Sequence, residues 1–215
     1  MIVALDLDGT LLTCAPRHCA VARYGLAATA SSRQTEFDAS CFWELKRNGS
    51  TTQEALLHVG KDRSRMVSDI WREEIEKTHW LSFDSLLPGI EDMLSEIRRS
   101  GAELALVSAR QDAAAARCQM TRLGLLGSFE TVRFVPQCDV AAGKARVLSE
   151  LGAVLYIGDT ETDYTAAATA DVPCRLVDTG MRNKKYLEGS LPVSVFSSLL
   201  DAFYDGLDFR NQTAG

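Results

Sequence analysis

Apolar positions follow two rhythms along this chain. Residues 2–5, 104–107 and 154–157 are short, continuous apolar runs; Val132 to Val135, interrupted by Arg133, reads as a further strand, and another lies near 175–177. That is the pattern of strands buried on both faces. Between them the apolar residues recur every three or four positions. From Cys14 to Trp80 only this helical rhythm is present. Thr51-Thr-Gln-Glu54 reads as a capping box opening a short helix that stops at Gly60. Asp62 is expected to cap the next helix, with Met66, Val67, Ile70, Trp71, Ile75 and Thr78 repeating at helical spacing.

Beyond residue 86 strands and helices alternate. Pro88-Gly89 opens a helix with Ile90, Met93, Leu94 and Ile97 inward, and Gly101 stops it. An alanine-rich helix is predicted over 112–123, ended by Gly124. Another covers 142–151 and carries Lys144 near its start. A second alanine-rich helix follows Asp163, a final helix is expected over 193–204, and residues after Leu207 read as a loose tail.

Strands alternating with helices predict an α/β fold: a doubly wound, parallel, five-stranded Rossmann-like core. A lone first strand cannot bury both of its faces, so it must join that sheet. The helical block is then an insertion. The expected organisation is a core of residues 1–13 and 84–215 with an inserted α-helical cap over 14–83.

Composition narrows the setting. Hydrophobic residues make up 46% of the 215, enough for a sizeable core. The net charge of −6 argues against a general nucleic-acid or membrane-surface partner. No apolar run approaches the roughly 20 residues of a membrane span. The chain opens directly into a strand without a basic leader, so no signal peptide is expected. Six scattered cysteines include no CxxC pair and read as reduced, buried thiols of a cytoplasmic protein.

The chemistry gathers at strand ends. Asp6 and Asp8 follow the first strand, Ser108 the second, and Asp159 and Asp163 the fourth; Lys144 opens a helix. Parallel strands put their carboxyl ends on one edge, so these groups can converge there. Several carboxylates at one point repel one another, and a hard divalent cation with oxygen ligands, magnesium above all, relieves that repulsion.

In order and strand context, Asp6-Leu-Asp8-Gly-Thr10, Ser108, Lys144 and Gly158-Asp159-Thr-Glu-Thr-Asp163 resemble the four motifs of the haloacid dehalogenase superfamily. The similarity is to its capped phosphatase branch, which includes phosphoglycolate phosphatase-like and β-phosphoglucomutase-like members. The helical insertion after the first motif and Leu87-Pro88-Gly89 at re-entry are similar too. The resemblance implies that Asp6 is the nucleophile and forms an aspartyl-phosphate. It implies that Asp8 is the general acid and then the base, that Ser108 bonds a phosphoryl oxygen, and that Lys144 neutralises the phosphoryl group and steadies Asp6. Thr10, Ala109 and Arg110 would lie beside the substrate, although Arg110 reads equally well as a surface residue. Asp6, the Asp8 carbonyl and Asp159 would hold Mg2+, with Asp163 binding it directly, through water, or orienting Lys144. The implied reaction is hydrolysis of a small phosphorylated metabolite. A β-phosphoglucomutase-like mutase and a catalytically idle binding module are the alternatives. Substrate choice would rest in the cap, where Phe42, Trp43, Lys46, Arg47 and Asn48 are candidates. Lys46 and Arg47 either face the core or are solvated helix-end charges.

Overall fold

The computed structural model describes residues 1–30 and 36–213, with side chains to residue 208. Its centre is a six-stranded parallel sheet. In spatial order the strands are β5 (Thr131–Val135), β4 (Glu103–Ala109), β1 (Ile2–Leu5), β6 (Leu155–Gly158), β7 (Cys174–Val177) and β8 (Val195–Phe196). The order runs outward from β1 through β4 to β5, then restarts on the other side of β1 with β6. The crevice beyond the carboxyl end of β1 is therefore the topological switch point, where open α/β sheets bind ligands. Side chains alternate as a doubly covered strand requires. Val3 and Leu5 of β1 face one hydrophobic layer and Ala4 the other.

Helices cover both faces. Ile90, Leu94 and Ile97 of α6 (Ile90–Arg99) share a layer with Met120 of α7 (Ala113–Arg122) and Phe203 of α11 (Leu199–Thr213). Val147 and Leu148 of α8 (Val140–Leu151) and Ala166 and Ala167 of α9 (Glu161–Thr169) fill the other.

Between β1 and α6 runs a two-stranded antiparallel ribbon, β2 (Leu12–Thr13) against β3 (Ser85–Leu86). Helices α1 (Ala15–Ala28), α2 (Ala39–Arg47), α3 (Thr52–Ala55), α4 (Lys61–Glu74) and α5 (Thr78–Leu81) lie between the two ribbon strands. They have a small core of their own, in which Ala22, Leu26, Phe42, Leu56 and Val67 meet. The Thr51–Glu54 capping box forms in full.

Several expectations are corrected. The sheet has six strands rather than five, because residues 195–196 pair with β7. That short strand replaces the first part of the expected 193–204 helix. The helix starts at Leu199 and continues to Thr213, through the stretch read as a loose tail. A further helix, α10 (Lys184–Ser190), is opened by Asn183, whose side chain accepts from the Tyr186 amide. Its periodicity is too short to register in sequence. Gly60, not Asp62, stands at the N-cap of α4, and Met66 is exposed rather than inward. All six cysteines are free, but Cys41, Cys118 and Cys138 are exposed. Among the described residues no helix is long and apolar enough to cross a membrane.

Candidate active site

The strand-end acids converge. Asp6, one residue past β1, is held in register by its amide bonding the Ile157 carbonyl at 2.9 Å. Oxygen atoms of Asp6, Asp159 and Asp163 lie within 4.8 Å of one another, and all three residues are buried. Lys144 reaches them from the first turns of α8, 3% exposed, 3.0 Å from Asp6 Oδ1 and 2.6 Å from Asp163 Oδ1. An exposed helix-face lysine would have been the default; here one lysine faces three carboxylates.

The three acids are not equivalent. Asp163 accepts from five donors. Lys144 Nζ and the Tyr156 hydroxyl, at 2.8 Å, reach Oδ1. The Asp159 amide, the Thr160 amide and the Thr160 hydroxyl reach Oδ2. Burial pushes its pKa up, but Lys144, Thr160 and Tyr156 outweigh that and hold it below the usual value. Asp159 is different. Its Oδ2 accepts the Met181 amide at 2.6 Å, while its buried Oδ1 has no hydrogen-bond partner among the described residues. Burial first, then the charges of Asp163 and Asp6, push its pKa well above the usual value. Burial also raises Asp6 to about 6, against the pull of Lys144 and Ser108. An orphaned buried carboxylate oxygen on one of three clustered acids, an all-oxygen donor set, fits a hard divalent cation.

Backbone approach makes this packing possible. Gly9 has φ 77°, and a Cβ there would stand 2.1 Å from Asp159 Oδ2 and 2.7 Å from Gly180 Cα. Any side chain at Gly9 would displace the acid that carries the orphaned oxygen.

Asp8 stands apart from the three-acid group. Arg110 Nη2 lies 2.7 Å from its Oδ1 and Arg17 Nη2 2.9 Å from its Oδ2. Burial acts to raise its pKa, but the two guanidiniums outweigh this and hold it far below the usual carboxylate range. Arg17 comes from α1, so one of these cations belongs to the inserted helices. Its Nε also pairs with buried Asp84 at 3.0 Å, and its Nη1 donates to the Ile75 carbonyl. A cavity of about 260 Å³ between the inserted helices and the sheet edge has Asp8, Arg17, His18, Trp71, Glu76 and Arg110 in its lining.

A family model for haloacid dehalogenase-like hydrolases matches residues 1–171. The chain belongs to this family. A comparison with curated proteins finds no match. Among solved structures, this hydrolase is similar to a haloacid dehalogenase-like hydrolase from Streptococcus pneumoniae. The TM-score is 0.74 at 18% identity, over 95% of this chain and 97% of that one. It is also similar to a predicted phosphoglycolate phosphatase from Haemophilus somnus, with TM-score 0.66 at 19% identity over 95% and 96% of the two chains. Protein Tyrosine Kinase A from Mycobacterium tuberculosis aligns with TM-score 0.69 at 20% identity over 96% and 97%. At such identities the likeness concerns the fold alone.

The remaining expected residues of this haloacid dehalogenase-like hydrolase divide. Ser108, 2% exposed, lies beside Asp6. Thr10 is buried with a partnerless hydroxyl. Ala109 ends β4, and its carbonyl accepts from Gln137. Arg110 is buried on Asp8, so its surface reading is corrected. Phe42 is core, and Trp43 packs edge-on against His18.

Arg47 is neither solvated nor in the cavity lining. It donates to the Asp178 carbonyl, while the Arg47 carbonyl accepts the Asn183 amide and Asn48 pairs with the Asn183 side chain. It ties the inserted helices to the loop after β7. Lys46 is 6% exposed rather than solvated, and burial pushes its pKa down to about 8.

Sequence reasoning missed Arg17, Asp84, Tyr156 and Thr160. Two of these left a signal: Thr160 and Asp163 have capping-box spacing, and Tyr156 is a polar handle inside an otherwise aliphatic strand. Arg17 and Asp84 left none. The Tyr156 contact is testable. Tyr156→Phe removes only the hydroxyl, and is expected to lower stability by about 1–3 kcal/mol, the worth of a hydrogen bond to a charged acceptor. An unshifted urea midpoint would show that the hydroxyl contributes nothing to holding Asp163.

Proposed function

We propose that this haloacid dehalogenase-like hydrolase is a magnesium-dependent phosphatase that hydrolyses a small phosphomonoester through an aspartyl-phosphate on Asp6. The observation that carries this reading is the switch-point cluster: Asp6 held by Lys144, beside Asp159 with its orphaned oxygen. Asp6 and Asp159, with the Asp8 carbonyl, would hold the cation. Asp163, saturated by its five donors, fits the role of orienting Lys144 better than that of a direct ligand. Bound there, Mg2+ would supply positive charge to the phosphoryl oxygens.

The chain's own groups account for the rest. An Asp6 oxygen attacks phosphorus, and the bond to the leaving oxygen breaks. Lys144 and the Ser108 hydroxyl bear on the phosphoryl oxygens as charge spreads over them. Asp8 gives a proton to the leaving oxygen, then takes one from the water that cleaves the Asp6–phosphorus bond. Held by two arginines, Asp8 is charged, the form that suits the base step. For the acid step Asp8 must first take a proton from solvent, which requires one guanidinium to turn away; Arg17, on the inserted helices, would leave Asp8 if those helices shifted. Six free cysteines support a reducing, cytoplasmic setting for this activity.

Phosphate release from p-nitrophenyl phosphate, with and without magnesium, tests the reading; no release under either condition would favour an idle binding module. Asp8→Asn is expected to slow esters of alkyl alcohols at least about tenfold more than p-nitrophenyl phosphate. A nitrophenolate leaves without a proton and an alkoxide does not. Equal loss on both ester types would remove Asp8 from the acid role.

A further inference from the structure

Among the described residues, the inserted helices bury a cation, Lys46, that pairs with no carboxylate. Lys46 Nζ, at the end of α2, has the Thr52 hydroxyl at 3.2 Å and the Trp71 ring face with its centroid at 5.3 Å. Glu161, an acid that acts on it electrostatically, is already held by Arg182 through two 2.8 Å contacts. Glu54 is committed to the Thr51 capping box. Burying an ammonium without an anion is expensive, so the arrangement is incomplete without one.

Two further polar groups beside Lys46 are unsatisfied. His18, 5% exposed, packs edge-on against Trp71 with ring centroids 5.0 Å apart, and its Nδ1 has no hydrogen-bond partner. The buried Trp71 Nε1 has none either. Burial, with Arg17 and Lys46 nearby, keeps His18 neutral.

The cluster adjoins the reaction centre. Of the three residues, His18 and Trp71 line the same cavity of about 260 Å³ as Asp8, and Lys46, outside that lining, adjoins it through the Trp71 ring. The Lys46 carbonyl accepts from Arg182, next in sequence to Met181, whose amide holds Asp159. The other charges in the cavity are spoken for. Arg17 and Arg110 hold Asp8, Arg72 pairs with Asp69 at 2.8 Å, and Glu76 accepts from the Gln111 and Asp112 amides and from the Gln137 side chain.

We propose that Lys46, His18 and Trp71 form a subsite for a second anionic group, a carboxylate or a phosphate, on the leaving group of a compact phosphomonoester. The subsite rests on the phosphatase reading above for its place next to the leaving oxygen. A cavity of about 260 Å³ suits a small leaving group.

Two matched pairs test it. 2-Phosphoglycolate against 2-hydroxyethyl phosphate isolates a carboxylate; fructose 1,6-bisphosphate against fructose 6-phosphate isolates a second phosphate. The wild-type protein is expected to favour the anionic member of one pair by at least about tenfold in kcat/KM, and that pair names the group. Lys46→Met is expected to cut this ratio about tenfold, mainly through KM, and Lys46→Arg to restore part of it. If Lys46→Met does not fold, Trp71→Phe reads the same ratio, with a loss of about threefold to tenfold. Calorimetric binding of the four compounds to Asp6→Asn separates the two hypotheses. Without any turnover by the wild-type protein, tighter binding of an anionic member that Lys46→Met erases keeps the subsite and overturns the phosphatase reading. Turnover with ratios near one on both pairs, or equal loss on both members in Lys46→Met, overturns the subsite alone.

Discussion

Asp6→Asn is expected to abolish turnover and, in metal-free protein, to raise stability. The amide keeps the shape of the side chain but cannot attack phosphorus, and loss of an essential nucleophile lowers kcat by orders of magnitude. Residual turnover above about a hundredth of wild type would exclude the covalent mechanism. The stability change follows from burial. The Asp6 carboxyl is raised to about 6, chiefly by desolvation, with Asp163 adding and Lys144 opposing. A raised acid favours the neutral form in the folded state, so its ionised form weakens folding. That penalty is complete above the folded value near 6 and absent below the unfolded value near 4. Asparagine never ionises. In EDTA at pH 8 the variant should therefore exceed wild type by on the order of 2 kcal/mol, at about 1.4 kcal/mol per pKa unit. The gap should close as pH falls toward 4. Thermal melts at pH 8 and pH 4.5 read both ends, and a variant less stable than wild type at pH 8 would show that the Lys144 pairing outweighs the desolvation.

Chelation is expected to remove activity entirely, and magnesium to restore both activity and stability. Three buried acids face one lysine, and one of them, Asp159, keeps an oxygen without a hydrogen-bond partner among the described residues. A cation bound only by the folded state adds about 2.7 kcal/mol at a hundred times its dissociation constant. Magnesium should therefore raise the melting temperature of EDTA-treated protein, a readout independent of any substrate. Asp159→Asn should lose that rise, whereas Asp163→Asn should lose stability with or without metal, because it breaks the hydrogen bonds around Lys144 and Thr160. Calcium should bind and inhibit, its longer and looser coordination leaving Asp6 misplaced for attack. Full activity in EDTA, or no change in melting temperature with magnesium, would remove the cation from this site.

Topology alone does not decide the chemistry of this chain. A fold of this kind hosts more than one activity, and the side chains at the switch point decide which one.

The sequence alone determined the parallel core and the place of its reactive edge. Continuous apolar runs specify strands buried on both faces, and parallel strands must bring Asp6, Ser108 and Asp159 to the same side. The helical stretch was legible too, because sixty-odd residues with only helical rhythm cannot join a parallel sheet, and helices lie there between β2 and β3. The short β8 and α10 were not, since two to seven residues carry too little periodicity and owe their form to the neighbours they pair with. Only the tertiary structure decided which acids are satisfied. Asp163 and Asp159 look alike in the chain, yet one receives five donors and the other keeps a bare oxygen. The cause is that Tyr156, Lys144 and Met181 approach from three separate elements. Likewise nothing in Ala15-Pro-Arg17-His18 sets Arg17 against Asp8, or His18 and Lys46 around Trp71. Those meetings are made by packing between residues tens of positions apart, where burial removes water and leaves each polar atom dependent on whatever partner the fold brings to it.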